Sequence, residues 1–273
     1  MTLLDWDCTF DRCGDLSNMQ GVECGSPQQY QLQPSQHPAF AWDALVQTGP
    51  DHPPWPQNGS VRCLFNGRGE GRLALPGDEG WFAFALKIPS QLNTGGTIGD
   101  VLLWELHSTS QVYSVPGCSV VPHAIWVKRP TSNGGDPDQD ALCYRIMAGD
   151  GAPDQNSYGW QSSHPNICLL QPIPYDVWIS LTVQIRFSED DDGKVNVTGQ
   201  VSDTPSEQGF DPLYSYNGPT CQYISRLDIH DDPLYPEFGI YNNGATVAAF
   251  DTAVYHTGMR ACPSYADAVA SMT

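Results

Sequence analysis

From Ser60 onward the chain is a succession of strand-length apolar runs broken by glycine, proline and aspartate, and almost none of it keeps a helical period. SVRCLF, GRLALP and WFAFALKIP alternate or run apolar, and VLLWELHS, HAIWVKRP, ALCYRIMAG and WISLTVQIRFS continue in the same manner. EDDDGK, with its Asp-Gly step, then signals a hairpin leading into VNVTGQVSD. FGIYNN and TVAAFDTAVYHTGM supply further strands, and only the tail segment YADAVASM has helical character. The 26 glycines and 23 prolines among 273 residues fit many short strands joined by turns. A βαβ repeat needs intervening helical stretches of about 10–15 residues, and none is present. The expected class is all-β: a sandwich of two large curved antiparallel sheets, one of which offers a concave groove lined by alternate side chains.

Residues 1–59 carry prolines at 27, 34, 38, 50, 53, 54 and 56 with little periodicity, and read as an irregular arm packed on the domain. Residues 60–262 read as one domain without linker or internal repeat, and 263–273 as a C-terminal tail. With 12 Lys+Arg against 31 Asp+Glu the formal charge is −19, which repels phosphate and disfavours nucleic-acid and acidic-membrane partners. No apolar run reaches the roughly 18 residues of a membrane-spanning helix. The nine cysteines are dispersed rather than grouped as zinc-type pairs, which fits a secreted, extracellular protein with up to four bridges. MTLLDWDCTF lacks the pattern of a secretory leader, so the expectation is either a cytosolic protein or a secreted one whose leader is absent from this sequence, and the cysteines favour the second. Asn58-Gly-Ser60 and Asn196-Val-Thr198 are glycan acceptor triplets, and a monomeric glycoprotein is expected.

Three segments carry candidate chemistry. In GRGEGR, Arg68, Glu70 and Arg72 alternate and would face one way on an extended chain, where two guanidinium forks separated by a carboxylate suit an acidic ligand. In WELH, Glu105 and His107 share one face by the two-residue period, and the imidazole suits proton transfer near neutral pH. In YPEFGIYNNG, Tyr241 is expected to point away from the core into which Ile240 points.

Taken in order, RxExR at Arg68–Arg72, ELH at Glu105–His107 and YxxxGIYN at Tyr235–Asn242 resemble the jelly-roll alginate lyases, whose usual patterns are R(S/T)ExR, Q(I/V)H and YxKxGxYNQ. Glucuronan and heparin lyases are similar in the late GIY element and in the stretch from Trp178 through Val195. The resemblance spans roughly residues 60–255. It implies a β-jelly roll, a concanavalin-like sandwich, that binds a polysaccharide and cleaves a uronic-acid-containing glycan by β-elimination without metal or cofactor. It gives His107 the base position, Tyr241 the acid position, and Arg68, Arg72 and Asn242 the substrate. Glu105, Glu237 and Asn243 stand where the family has glutamine, lysine and glutamine, so Glu70, Glu105, Glu237 and Asn243 are substrate-site candidates that depart from the pattern or lie between its arginines.

An ionised Glu105 beside a uronate would be repulsive, whereas a protonated carboxyl would donate a hydrogen bond. The same carboxylates admit a glycoside hydrolase on this scaffold, with Glu70, Glu105 and Glu237 as candidates. A third reading is a non-catalytic carbohydrate binder using Trp81, Trp104, Trp126 and Trp160.

Overall fold

The computed structural model describes residues 7–9, 21–57, 59–66, 76–90, 101–108, 121–128, 136, 139–150, 164–224, 229–230, 234–242 and 251–273. Eighteen strands follow one another in it: β1 (Asp7–Thr9), β2 (Gly21–Cys24), β3 (Tyr30–Pro34), β4 (Trp42–Thr48), β5 (Val61–Asn66), β6 (Glu79–Lys87), β7 (Val101–Ser108), β8 (His123–Lys128) and β9 (Ala141–Ile146). The remainder are β10 (Gly149–Asp150), β11 (His164–Leu170), β12 (Trp178–Arg186), β13 (Lys194–Val201), β14 (Asp211–Asn217), β15 (Gln222–Ile224), β16 (Ile229–His230), β17 (Leu234–Asn242) and β18 (Thr252–Cys262). One sheet runs β14-β13-β12-β6-β18-β4-β3, with β1 also on β18, and the other runs β11-β9-β8-β7-β17-β5-β2. Both are antiparallel throughout, and β10, β15 and β16 form a small third sheet. The chain is thus the jelly-roll sandwich expected from its strand pattern.

The residues between the two large sheets explain why the strands pair as they do. Phe82, Phe84 and Leu86 on β6, Leu181, Val183 and Ile185 on β12, and Trp104 and Leu106 on β7 pack into one cluster. Alternation along each strand sends the intervening residues to the outer face. Trp104 is fully buried, stacks on Phe84 at 5.4 Å between ring centroids, and points its indole nitrogen at Met259 Sδ. Trp104→Ala is therefore expected to cost about 3–5 kcal/mol of stability, read from the midpoint of denaturant unfolding; a change within experimental error would show that the sheets repack without it.

The Asp-Gly hairpin is present: β12 and β13 pair from Arg186↔Lys194 to Ile179↔Val201. The tail is helical as expected, with α1 (Tyr265–Ala270) starting at Ser264, whose Oγ accepts from Asp267 N. Its Ala268 and Val269 pack with Met272 on Ala83, Ala85 and Trp178, which covers part of the outer face of the larger sheet.

The expectation of an irregular stretch over residues 1–59 is corrected within the described residues. β2, β3 and β4 are hydrogen-bonded members of the two large sheets. The prolines sit where a strand tolerates them. Pro27 opens a short 3-10 turn, Pro34 ends the edge strand β3, and Pro50 follows β4. Disulfide Cys24–Cys63, joining register partners on β2 and β5, ties this segment to the core strands.

Candidate functional site

The site is built on the outer face of the seven-stranded sheet, from β5, β7 and β17. On β5, Cys63 and Phe65 enter the core, so Arg62, Leu64 and Asn66 share the outer face. On β7, Trp104 and Leu106 point inward and Glu105 and His107 outward. On β17, Leu234, Phe238 and Ile240 point inward, leaving Tyr235, Glu237 and Tyr241 outward. Register then decides who meets whom. Glu237 lies opposite Glu105 on one side and opposite Asn66 on the other, while Tyr235 lies opposite His107.

Two side-chain pairs result. The Tyr235 hydroxyl and His107 Nδ1 are 3.0 Å apart, with ring centroids 5.2 Å apart. Tyr235 is buried and His107 half-buried. Beside them Glu105 and Glu237 are only 3% and 2% exposed, and one donor atom from each of Glu105, His107 and Glu237 falls within 4.8 Å of the others. Burial, and next the Glu105 carboxylate, push the Glu237 carboxyl well above the ordinary carboxylate range, with Arg62 pulling the other way. Asn66 Nδ2 donates to Glu237 Oε1 at 2.8 Å, while Glu105 Oε2 is buried without a hydrogen-bond partner. Two carboxyl groups this close disfavour each other's ionisation, which together with burial raises the Glu237 carboxyl. Among the described residues this trio is also the set whose donor atoms most nearly form a divalent-cation site.

The raised Glu237 carboxyl has a pH consequence whose sign is opposite to that of an ordinary salt-bridged acid. Between the unfolded value of 4.5 and the higher folded value, the folded state keeps a proton that the unfolded state has lost. Stability therefore falls as pH rises through that window, by up to about 1.4 kcal/mol per pH unit. Glu237→Gln keeps the shape and removes the titration. Its stability relative to wild type is expected to grow from pH 4.5 upward in denaturant titrations; a pH-independent difference would contradict the neutral state of Glu237.

The structure places the other candidates as follows. Tyr241 is on the outer face, as expected, but it lies opposite Arg62 and Leu102, six residues along β17 from Tyr235. At about 3.3 Å per residue that is roughly 20 Å from the tyrosine that meets His107. Its ring stacks against the Arg62 guanidinium, whose carbon is 4.7 Å from the ring centroid and 4.4 Å from that of Trp55. Arg62 is in turn ion-paired to Glu23 at 2.7 Å. Asn242 has the opposite parity from Tyr241 and donates from its amide to Thr48 Oγ1 on the other sheet at 3.2 Å. Arg68, Glu70, Arg72, Asn243 and Trp160 lie outside the described residues. Of the tryptophans named for a binding surface, Trp104 is in the core, Trp81 packs against Tyr265 of α1, and Trp126 lies on this outer face with Leu64, Leu102 and Ala124.

Asn66 and Arg145 were not singled out from the sequence, and Tyr235 entered only as the first position of the third motif, without a role. Arg145 stacks on Trp126, 4.7 Å from its ring centroid. The signal for Asn66 and Tyr235 was the same two-residue alternation that exposed Glu105 and His107.

No protein family and no curated protein matches this chain. Its fold is that of several solved structures at low identity. An endo-β-1,4-glucuronan lyase from the fungus Trichoderma reesei superposes with a TM-score of 0.63 at 13% identity, over 98% of this chain and 97% of that one. A GH131 β-glucanase catalytic domain from Podospora anserina gives 0.58 at 14%, over 99% and 100%. A PL-14 alginate lyase from Aplysia kurodai gives 0.53 at 10%, over 95% and 97%. The shared architecture therefore hosts both lyases and hydrolases of polysaccharides.

Proposed function

We propose that this chain is a secreted polysaccharide lyase that cleaves a uronic-acid-containing glycan by β-elimination on the outer face of the seven-stranded sheet. The observation that carries the reading is the Tyr235–His107 hydrogen bond set beside the buried carboxyl groups of Glu105 and Glu237, the latter raised by burial and by Glu105. In the tautomer whose Nδ1–H donates to the phenol oxygen, His107 Nε2 carries the lone pair and takes H5 of the uronate. The C5–H electrons form the C4=C5 double bond as the C4–O4 bond breaks, and the proton is returned to O4 from Nε2 of the imidazolium, while the Tyr235 oxygen accepts from Nδ1–H and holds the ring in place. Charge developing on the uronate carboxyl needs donors in place before the reaction. Glu237, whose raised carboxyl favours the protonated form, is assigned to donate to the uronate carboxyl in place of the family's glutamine, whose position Glu105 occupies. Arg68 and Arg72 are assigned to the uronate carboxylates. Tyr241, with Arg62 and Trp55, is assigned to more distant sugars. The glucuronan and alginate lyases that share this fold support the reading, as does the order of the three sequence motifs.

One observation favours a second reading. A close carboxyl pair with one member held neutral is also what a glycoside hydrolase needs for a general acid and its partner, and a β-glucanase shares the fold. A panel of alginate, glucuronan, heparin-type glycans and neutral β-glucans separates the two. An unsaturated uronyl end, detected by its ultraviolet absorbance, marks elimination. New reducing ends without that absorbance mark hydrolysis and overturn the lyase assignment.

A further inference from the structure

We propose that Glu105, His107 and Glu237 form a three-ligand site for a first-row divalent metal ion such as Zn2+, and that the occupied site is silent in turnover because the ion holds the imidazole lone pair that elimination needs. The second half of the proposal rests on the lyase reading above, and the first half does not. One donor atom from each residue lies within 4.8 Å of the other two. Donors at about 2.1 Å from a tetrahedral Zn2+ stand about 3.4 Å apart, so the three must close by roughly 1.4 Å at most. Rotation within the two glutamate side chains supplies that movement.

An independent observation points to a ligand. Glu105 Oε2 is buried without a hydrogen-bond partner, on a residue only 3% exposed. A buried carboxylate oxygen is costly unless a donor or a cation meets it. Glu105 faces Glu237 directly in register on the outer side of the sheet, which turns this acceptor into the cluster. The surrounding hydrogen bonds also follow the pattern of metal sites, in which a ligating histidine gives its second ring N–H to an acceptor and a ligating carboxylate is itself hydrogen-bonded. The Tyr235 hydroxyl oxygen lies 3.0 Å from His107 Nδ1, and the tautomer that donates to it leaves the lone pair on Nε2. Asn66 Nδ2 donates to Glu237 Oε1 at 2.8 Å. A bound ion takes the place of any proton or hydrogen bond that its three donor atoms hold without it.

The donors stand on β7 and β17, interior strands paired on both sides, which fix their spacing better than a loop would. His107 is half-buried whereas both glutamates are buried, so the ion enters from the histidine side. A formal charge of −19 draws cations toward the chain. One imidazole and two carboxylates suit Zn2+, with a fourth position open to water. Ca2+ and Mg2+ prefer six or more oxygen ligands, which this donor set does not supply. The ion is an inhibitor rather than a cofactor: bound to Nε2, it leaves no base for H5 of the uronate.

The test is titration of the tag-free full chain at neutral pH, with Zn2+ by calorimetry and with Co2+ by visible absorption. The expected result is one tight Zn2+ per chain and a Co2+ spectrum of four- or five-coordinate intensity that Zn2+ abolishes and excess Ca2+ or Mg2+ does not. Glu105→Gln, His107→Ala and Glu237→Gln should each weaken Zn2+ binding by more than about 100-fold, the upper end for losing an outer partner alone. Circular dichroism checks the fold of each variant, and His107→Gln replaces His107→Ala if the latter does not fold. Lack of a tight site in the wild type, or an affinity within about 10-fold of wild type in any of the three folded variants, would overturn the proposal. On the glycan that the protein cleaves, one equivalent of Zn2+ should abolish turnover and a chelator should restore it. Zn2+ bound through the trio with turnover unchanged would overturn the silent state and remove His107 as the base. Turnover by a protein that binds no Zn2+ would overturn the metal site and leave the lyase reading standing.

Discussion

His107→Ala is expected to lower turnover on the cleaved glycan by about 10²–10⁴-fold, the usual contribution of a positioned proton-transfer group, with the fold intact by circular dichroism. Tyr235→Phe, which deletes one hydroxyl 3.0 Å from the imidazole, should fall in the same range, whereas Tyr241→Phe should leave turnover close to wild type and act on substrate affinity. The contrast follows from register. Tyr235 faces His107 across the β7–β17 pair, and Tyr241 faces Leu102 and Arg62 at the far end of the same strand. Full activity in Tyr235→Phe, or loss of turnover confined to Tyr241→Phe, would assign the proton chemistry to the other tyrosine.

Acid should begin to erode the stability of this protein below about pH 6.5, because three histidines are buried in neutral form. His123 joins Nδ1 to the Tyr144 hydroxyl at 3.0 Å and Nε2 to the Thr220 carbonyl at 2.9 Å. His256 Nε2 meets the Gly239 carbonyl and His37 Nε2 meets Ser180 Oγ, both at 3.0 Å. Burial lowers each from 6.5 to about 4. Between those values the unfolded chain binds a proton that the folded chain refuses. The stabilisation is complete above about 6.5 and is lost as pH falls toward 4. At about 1.4 kcal/mol per unit, each histidine contributes about 3 kcal/mol. Together they are comparable with the whole stability of a typical domain.

Two effects oppose this acid loss. Lower pH relieves the self-repulsion of a chain at −19, and the raised Glu237 carboxyl gains stability on acidification. The histidine contribution is therefore read as a difference. His123→Gln and His256→Gln should each flatten the fall in unfolding free energy between pH 6.5 and 4, measured by denaturant titration. Slopes equal to wild type would show that these rings are charged in the fold.

The fold was legible because its signal is periodic and local. WISLTVQIRFS, the Asp-Gly turn and VNVTGQVSD specify β12, the hairpin and β13 without reference to the rest of the chain. The parity of Glu105 and His107, and of Tyr241 against Ile240, was equally readable, since alternation fixes which face a residue takes. Partnership across strands was not. It depends on register, and β17 shifts register against β7 between Phe238 and Tyr241. Such a shift is invisible in YPEFGIYNN; the resemblance gave the acid position to Tyr241, whereas the pairing of β17 with β7 sets Tyr235 beside His107. The strands β2 to β4 were hidden for a related reason, since proline density around them masked short runs whose partners lie far along the chain. A protonated carboxyl was anticipated only at Glu105, as one way to reconcile it with an acidic sugar, whereas register places Glu237 directly opposite and it is Glu237 whose carboxyl is raised.

The most direct measurement of the central claim is a crystal structure of the Tyr235→Phe protein with an oligouronate bound. The account predicts a sugar ring on the outer face of the seven-stranded sheet, with C5 within hydrogen-bonding reach of His107 Nε2 and the uronate carboxyl turned toward Glu237. A sugar bound on the other sheet, or bound on this face with C5 remote from His107, would contradict it.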